Sequence, residues 1–236
     1  MAKSPQGIAF MDSEQRRIGL WSADSIDIRG GFGTEQGGLF DPVDMISDQL
    51  DIFILDQTEN RLSRFDAQFN FISSFDIEFE DVLYPSELAM DSRRNFYIYS
   101  AETHSIYKSS GISGEMAQFL DLNTATGLDH CVSDLTFNRV DDFALLYSCN
   151  PTVHLYARSG KLIRRFSIDI PNPLIILSFG SLWLIINETG QLQLLGKNPI
   201  QLPIGSHNTI LDAIINDGML LVLADSTLII YEISNL

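Results

Sequence analysis

Four carboxylates recur at one place in the repeating pattern of this 236-residue chain. Each stands third in a short segment that opens on a proline or an aliphatic residue: Pro42-Val43-Asp44, Pro85-Ser86-Glu87, Val132-Ser133-Asp134 and Ile210-Leu211-Asp212. A fifth such segment, Pro173-Leu174-Ile175, carries isoleucine in the acidic slot. Carboxylates gathered at one place repel each other unless cations or hydrogen-bond donors compensate them. One chemistry that answers this is a hard divalent cation, calcium above all, which takes about six to eight oxygen ligands. The other is structural: the side chains cap backbone amides where the strands begin, or face water. Zinc is not indicated, because His104, His130, His154 and His207 show no ligand spacing with one another or with a cysteine.

The two cysteines, Cys131 and Cys149, flank a segment that reads as a hairpin, with CVSDLTF running out and DFALLYSC returning. A turn centred on Val140 pairs Phe137 with Phe143, Leu135 with Leu145, Ser133 with Tyr147 and Cys131 with Cys149. The mostly apolar matches favour that register, since a slip of one residue turns every side chain to the opposite face. Opposed cysteines then lie within reach of a disulfide; the alternative is two buried thiols acting as small hydrophobes. A bridge implies an oxidising compartment, so the protein is expected to be periplasmic or secreted, with the cytoplasm as the alternative. Neither cysteine has a histidine partner in an order that suggests a nucleophile.

These residues belong to a repeat. Six apolar runs end in a small polar residue, at Asp12, Asp56, Ser100, Ser148, Asn187 and Asp225, with spacings of 44, 44, 48, 39 and 38 residues. A second run follows each one: 17–22, 61–66, 105–110, 152–158, 191–196 and 227–232. Gly, Asn, Asp and Ser fill the gaps, as tight hairpins require. Nowhere does a capped apolar pattern of period 3.6 persist, so the chain reads as all-β. A period of about 40–45 residues is that of one four-stranded propeller blade. The expectation is one domain over 1–236, a six-bladed β-propeller of four-stranded antiparallel blades, with five blades as the alternative. The first blade is expected to lack its inner strand and the last its outer strand, giving 22 strands rather than 24. A strand edge left open in this way invites a strand from another protein.

Charge narrows the partners. Fifteen Lys and Arg against 31 Asp and Glu give a formal charge of −16. Such a surface repels phosphate backbones and anionic headgroups, which excludes nucleic acid as a partner. The most apolar stretch, Leu174 to Ile186, is interrupted by Ser178, Gly180 and Ser181 and falls short of the roughly 20 residues of a membrane span. The start, Met-Ala-Lys-Ser-Pro-Gln, has no apolar stretch of a signal sequence.

The segment Asp56-Gln-Thr-Glu-Asn60-Arg61-Leu-Ser-Arg-Phe65-Asp66, followed by Phe69-Asn-Phe-Ile-Ser-Ser-Phe75, resembles the core of an NHL repeat. Asp12-Ser-Glu-Gln-Arg-Arg17-Ile-Gly-Leu-Trp21, leading to Ile28-Arg-Gly-Gly-Phe32-Gly33, is similar, as is the linker Gly-Gly-Leu-Phe-Asp-Pro42. The resemblance covers residues 8–110 and then decays to bare apolar alternation. It implies turn-pinning pairs, Asp12 with Arg17 and Asp56 with Arg61. It also implies that glycine is usual in the slot held here by Asp44, Glu87, Asp134 and Asp212. Some NHL propellers bind RNA through a basic face, but the densest basic spots here, Arg16-Arg17 and Arg164-Arg165, are two residues each. The function expected is therefore non-catalytic: a protein-binding scaffold, a subunit or accessory factor of a larger bacterial assembly, using the open strand edge or the acidic face. The alternative, by resemblance to gluconolactonase-like propellers, is a divalent-metal-dependent hydrolase with the four acidic residues in the channel as its site.

Overall fold

The computed structural model describes residues 1–22, 25–33, 37–48, 50–77, 84–112, 115–125, 131–205, 208–225 and 227–235. The chain packs as two compact units, Met1–Asp121 and Leu122–Leu236, each built from three antiparallel sheets.

The first unit contains three four-stranded sheets in simple up-and-down order. Numbered along the chain, they are β1 (Ala2–Ser4), β2 (Gly7–Asp12), β3 (Arg17–Ser22) and β4 (Ser25–Gly30); β5 (Pro42–Ser47), β6 (Asp51–Asp56), β7 (Arg61–Asp66) and β8 (Phe71–Asp76); and β9 (Pro85–Met90), β10 (Phe96–Ser100), β11 (Ser105–Ser109) and β12 (Met116–Asp121). The second unit has β13 (Val132–Phe137), β14 (Phe143–Tyr147), β15 (Thr152–Tyr156) and β16 (Leu162–Ser167) in its first sheet, then β17 (Pro173–Phe179), β18 (Leu182–Asn187), β19 (Gln191–Leu194) and β20 (Ile200–Gln201). Its third sheet has only β21 (Ile210–Asn216), β22 (Met219–Ala224) and β23 (Thr227–Glu232) among the described residues.

Burial follows the sequence pattern. The second strands are the continuous apolar runs, and β6, β10 and β14 are buried along their whole length. The fourth strands alternate or lie open: β8 alternates half-buried with exposed residues, and β4 is exposed throughout. Apolar side chains fill the space between neighbouring sheets. Ala9, Ile18 and Leu20 meet Met45, Ile52 and Ile54 in the first unit, and Phe53 and Leu55 meet Leu88, Phe96 and Ile98. In the second unit Ala144, Leu146 and Val153 pack on Ile176, Trp183 and Ile185, and Leu184 and Ile186 on Leu220 and Val222.

The expectation of an incomplete first blade is corrected by β1, which pairs Ala2 with Ala9 and Ser4 with Gly7. Three residues carry no legible period, so this strand leaves no signal in the sequence. Among the described residues the last sheet has three strands, as expected. A second correction concerns the repeat. The residues opposite the start of the inner strand are Asp56, Ser100 and Asn187, but Tyr147 and Ala224 in the fourth and sixth sheets, with Ser148 and Asp225 one position further on.

Three hairpins with a non-glycine residue in the fourth place share a five-residue turn that the sequence writes as Asp66…Asn70, Asp91…Asn95 and Asn138…Asp142. In each, one side-chain oxygen of the first residue accepts the amides two and four positions on. The fourth residue is left-handed: Phe69 (φ 59°), Arg94 (φ 63°) and Asp141 (φ 62°). The side-chain bonds stabilise a backbone that a non-glycine residue otherwise adopts at a cost.

Candidate functional site

The acidic residues singled out by the sequence owe their placement to a repeated irregularity. Every inner strand after β1 carries a one-residue bulge at its second position: Val43, Ser86, Ser133, Leu174 and Leu211. A bulge re-aims the side chain that follows it, and that side chain is Asp44, Glu87, Asp134, Ile175 or Asp212. The hairpin register expected around Val140 holds from Phe137–Phe143 to Leu135–Leu145, then shifts at this bulge, so that Val132 rather than Ser133 faces Tyr147.

In the first unit the Asp44 carboxylate accepts the amide of Met45 at 2.6 Å on one oxygen and that of Leu88, in the next sheet, at 2.7 Å on the other. Burial holds this carboxyl above its usual range against the pull of those two donors. Glu87 lies opposite Tyr99 in the β9–β10 ladder; burial, reinforced by this carboxylate, pushes the Tyr99 phenol up to about 12. In the second unit Asp134 repeats the Asp44 geometry, taking the amides of Leu135 at 2.6 Å and Ile176 at 2.7 Å. Asp212 takes the amide of Ala213 at 2.7 Å. Among the described residues no three His, Cys, Asp or Glu side chains gather into a group able to hold a metal ion.

The polar residues that end the second strands form another recurring device. Asp56 is buried; one oxygen accepts the amide of Glu59 at 3.1 Å within the turn, and the other takes Phe40 at 2.7 Å and Asp41 at 2.9 Å, just before β5. Asn187 donates to the carbonyl of Pro171 at 3.0 Å, and Asp225 accepts the amide of Thr209 at 3.0 Å. The side chain therefore fixes the chain where it enters the inner strand. At the same place in the fourth sheet lies the disulfide Cys131–Cys149, with Cα atoms 5.6 Å apart, beside the Ser148 amide bond to the Cys131 carbonyl.

Asp12 faces Arg17, and Asp56 faces Arg61, across the turns. The Asp12 carboxylate accepts the amide of Gln15 at 2.9 Å, and the Arg61 guanidinium donates to the carbonyl of Gly38 at 3.2 Å. Asn187, the first residue of a glycosylation pattern, is buried, and its amide nitrogen also donates to Gln191. His104 occupies a β10–β11 turn with φ 50°; His130 and His207 lie outside the described residues. His154 is buried beside Tyr147, ring centres 4.6 Å apart, with neither ring nitrogen hydrogen-bonded in the described structure. That burial, assisted by the Arg165 charge, lowers it to about 4.

Sequence reasoning missed a charged network in the first unit. Asp51, buried at the start of β6, receives Arg64 and Arg94 at 2.7 Å each, and Arg94 also pairs with Asp48. Residues 43 positions apart, Asp51 and Arg94, carry no local spacing that would announce the pair. It also missed an aromatic cluster in which the Arg16 guanidinium lies 4.5 Å from the ring centre of the exposed Phe32 and Phe32 packs 5.2 Å from the half-buried Phe40.

Sheet count, strand order and bulges converge on one architecture when set against solved structures. Virginiamycin B lyase from Staphylococcus aureus, in a catalytically inactive form with quinupristin, superposes over 96% of this chain and 77% of its own, with a TM-score of 0.69 and 16% identity. A chain of the nidogen/laminin complex matches over 96% of this chain and 89% of its own, with a TM-score of 0.71 and 12% identity. This is a six-bladed β-propeller. A third propeller match, YCF48 with a bound peptide, covers 92% of this chain and 72% of its own, with a TM-score of 0.63 and 10% identity. No protein-family model matches the sequence, and a search of curated proteins finds no match. At these identities the likeness fixes the fold, and propellers of one fold host both enzymes and binding modules.

Proposed function

We propose that the chain is a protein-binding module, a subunit or accessory factor of a larger assembly, and that its inner-strand carboxylates serve the scaffold. The observation that carries this reading is the double use of Asp44 and Asp134. Each already places both oxygens on backbone amides, one in its own strand and one in the neighbouring sheet. That is the satisfaction expected of a half-buried structural carboxylate. Supporting it, two structural neighbours were solved in a protein complex and a peptide complex. The NHL-like signature of residues 8–110 agrees with such a role, and the Cys131–Cys149 bridge favours a periplasmic or secreted setting.

The competing reading, a calcium-dependent hydrolase, is tested directly. Calcium is titrated by calorimetry into chelator-treated protein and into a variant carrying Asp44→Asn, Glu87→Gln, Asp134→Asn and Asp212→Asn. The expected result is no binding heat in either. Micromolar binding in the parent that vanishes in the variant overturns the scaffold role of these carboxylates. The binding role itself is tested by immobilising the chain and capturing proteins from the source extract; absence of any specifically retained protein sinks it.

A further inference from the structure

We infer that a cavity between the β18–β19 turn and the chain leading from β20 into β21 holds a guanidinium group, carried by an arginine of a partner protein. This rests on the protein-binding reading above and names the place and chemistry of the contact. The cavity lies wholly within the second unit and has a volume of about 520 Å³, inside the range of roughly 300–1,000 Å³ typical of ligand pockets.

Its walls follow from the local sequence. Glu188 and Thr189 belong to the β18–β19 turn, and Gln201 ends β20. Burial then alternates along the chain. Leu202 and Ile204 pack into the apolar core between the fifth and sixth sheets, while Pro203 and Gly205 stay exposed. Backbone bonds tie the two walls together: the amide of Leu202 donates to the carbonyl of Gly190 at 2.8 Å, and that of Ile210 to the carbonyl of Glu188 at 2.9 Å. A cavity held in this way is formed before a ligand arrives, which lowers the entropy lost on binding.

Hydrogen bonding specifies the ligand. Gln201 Nε2 donates to the carbonyl of Thr189 at 2.8 Å, and Asn208 Nδ2 to that of Ile204 at 2.6 Å. The Thr189 hydroxyl is likewise committed, to Asn187 at 3.0 Å. A carbonyl accepts only from the nitrogen of an amide, so these bonds fix how both side-chain amides are turned. They leave Gln201 Oε1 and Asn208 Oδ1 as acceptors with no partner among the described residues, and the exposed Glu188 makes no ion pair there. A lining of open acceptors calls for a ligand that only donates. Guanidinium presents five N–H donors in a planar fork and suits several separated acceptors better than the compact ammonium of lysine. Its aliphatic stem can lie along Leu202, Pro203 and Ile204.

Charge agrees with this ligand. Residues 198–236 contain no Lys or Arg, and Lys197 stands between β19 and β20, at the far end of those strands from the Gln191–Gln201 pair. Asp225, which accepts the Thr209 amide at 3.0 Å, adds a second carboxylate beside the lining. A bare calcium ion needs about six to eight oxygens in a close shell, and a cavity of this volume with one lining carboxylate does not supply it. A second copy of the chain carries the same −16 and is repelled on approach, so the arginine belongs to a different protein.

The test uses a fluorescent peptide, Gly-Ser-Arg-Ser-Gly, and a counterpart with citrulline for arginine, which keeps the shape and loses the charge. Anisotropy is expected to show binding of the arginine peptide, with the citrulline peptide at least about tenfold weaker. Glu188→Gln should weaken the arginine peptide about tenfold or more, the scale of one hydrogen bond to a charged group. Asp217→Asn, in the turn at the opposite end of the sixth sheet, should leave it unchanged. The citrulline comparison on the parent protein supplies the same readout should Glu188→Gln fail to fold. Equal losses from Glu188→Gln and Asp217→Asn would reveal diffuse attraction to an acidic surface and overturn the proposal, as would equal binding of the two peptides. So would a dimer dissolved by acetyl-arginine amide, which would make a second copy the occupant. Proteins that the immobilised chain retains from an extract should be released by acetyl-arginine amide and not by acetyl-citrulline amide. If they ignore both compounds, the cavity proposal falls while the binding-module reading stands. If no protein is retained, that reading falls, and arginine-peptide binding then assigns the cavity to a small guanidinium compound and overturns the partner.

Discussion

Asp134 holds the amide of Ile176 at 2.7 Å, so that one carboxylate of the fourth sheet is bonded to the inner strand of the fifth. Its other oxygen takes Leu135, and Asp44 repeats the pattern with Leu88 and Met45. Hydrogen bonds to charged groups contribute about 1.5–3 kcal/mol each, and removing the acceptor strands two buried donors. Asp134→Ala is therefore expected to lower the unfolding free energy by about 2–4 kcal/mol in urea titrations. The loss should be the same with or without calcium. A loss seen only when calcium is present would return these residues to the metal reading.

How far the sequence revealed this site is plain from its parts. The six polar-ended apolar runs identified the second strands because a buried strand bordered by a turn must be both apolar and capped. The Cys131–Cys149 hairpin was legible for the same reason near its turn, where Leu135 faces Leu145. What stayed hidden were the bulges at Val43, Ser86, Ser133, Leu174 and Leu211. A bulge adds one residue without changing residue type, so period and composition are silent about it. The roles of Asp44 and Asp134 were visible only as a recurring acidic slot. Whether such a slot holds a cation or an amide depends on the neighbouring strand's backbone, which single-sequence patterns do not place.

The disulfide closes a loop with a sequence separation of 18 where other sheets rely on hydrogen bonds such as Asp56 to Phe40. A loop of this length restricts the unfolded chain by about 3 kcal/mol. Reduction, or Cys131→Ser with Cys149→Ser, is expected to cost roughly that amount and to lower the melting temperature, read by urea and thermal unfolding with and without a thiol reductant. An unchanged midpoint would show that the bridge adds nothing to the bonds around Ser148.

His154 makes stability depend on pH in a defined direction. Burial first, and the Arg165 charge second, lower it from 6.5 to about 4. In the unfolded chain the imidazole takes its proton near 6.5, while the folded protein refuses it until about 4. Stability is thus fully present above about pH 6.5 and falls as pH drops toward about 4, where the loss from this residue levels off. His154→Phe should flatten that limb of the stability–pH curve and leave the neutral-pH value equal or higher, since the ring nitrogens have no hydrogen-bond partner in the described structure. Unfolding midpoints across the range, parent against variant, check it; parallel curves would refute the assignment.

Asp51 is expected to matter more than either of its arginines. Its carboxylate is nearly out of solvent and receives Arg64 and Arg94 on the same oxygen, each at 2.7 Å. Arg94 keeps about a third of its side chain exposed and has Asp48 as a second partner. Removing Asp51 leaves two guanidinium groups without their shared counter-charge; removing Arg94 leaves Asp51 still paired with Arg64. Breaking a fully buried pair costs about 3–5 kcal/mol, and solvent at Arg94 discounts this, so Asp51→Asn should cost about 2 kcal/mol and Arg94→Ala about 1. A double-mutant cycle in urea should give a positive coupling between Asp51 and Arg94 that changes little between low and moderate salt, because the shared carboxylate is shielded from the ion atmosphere. A coupling near zero, or one erased by moderate salt, would make the network a surface feature with no part in joining the second sheet to the third.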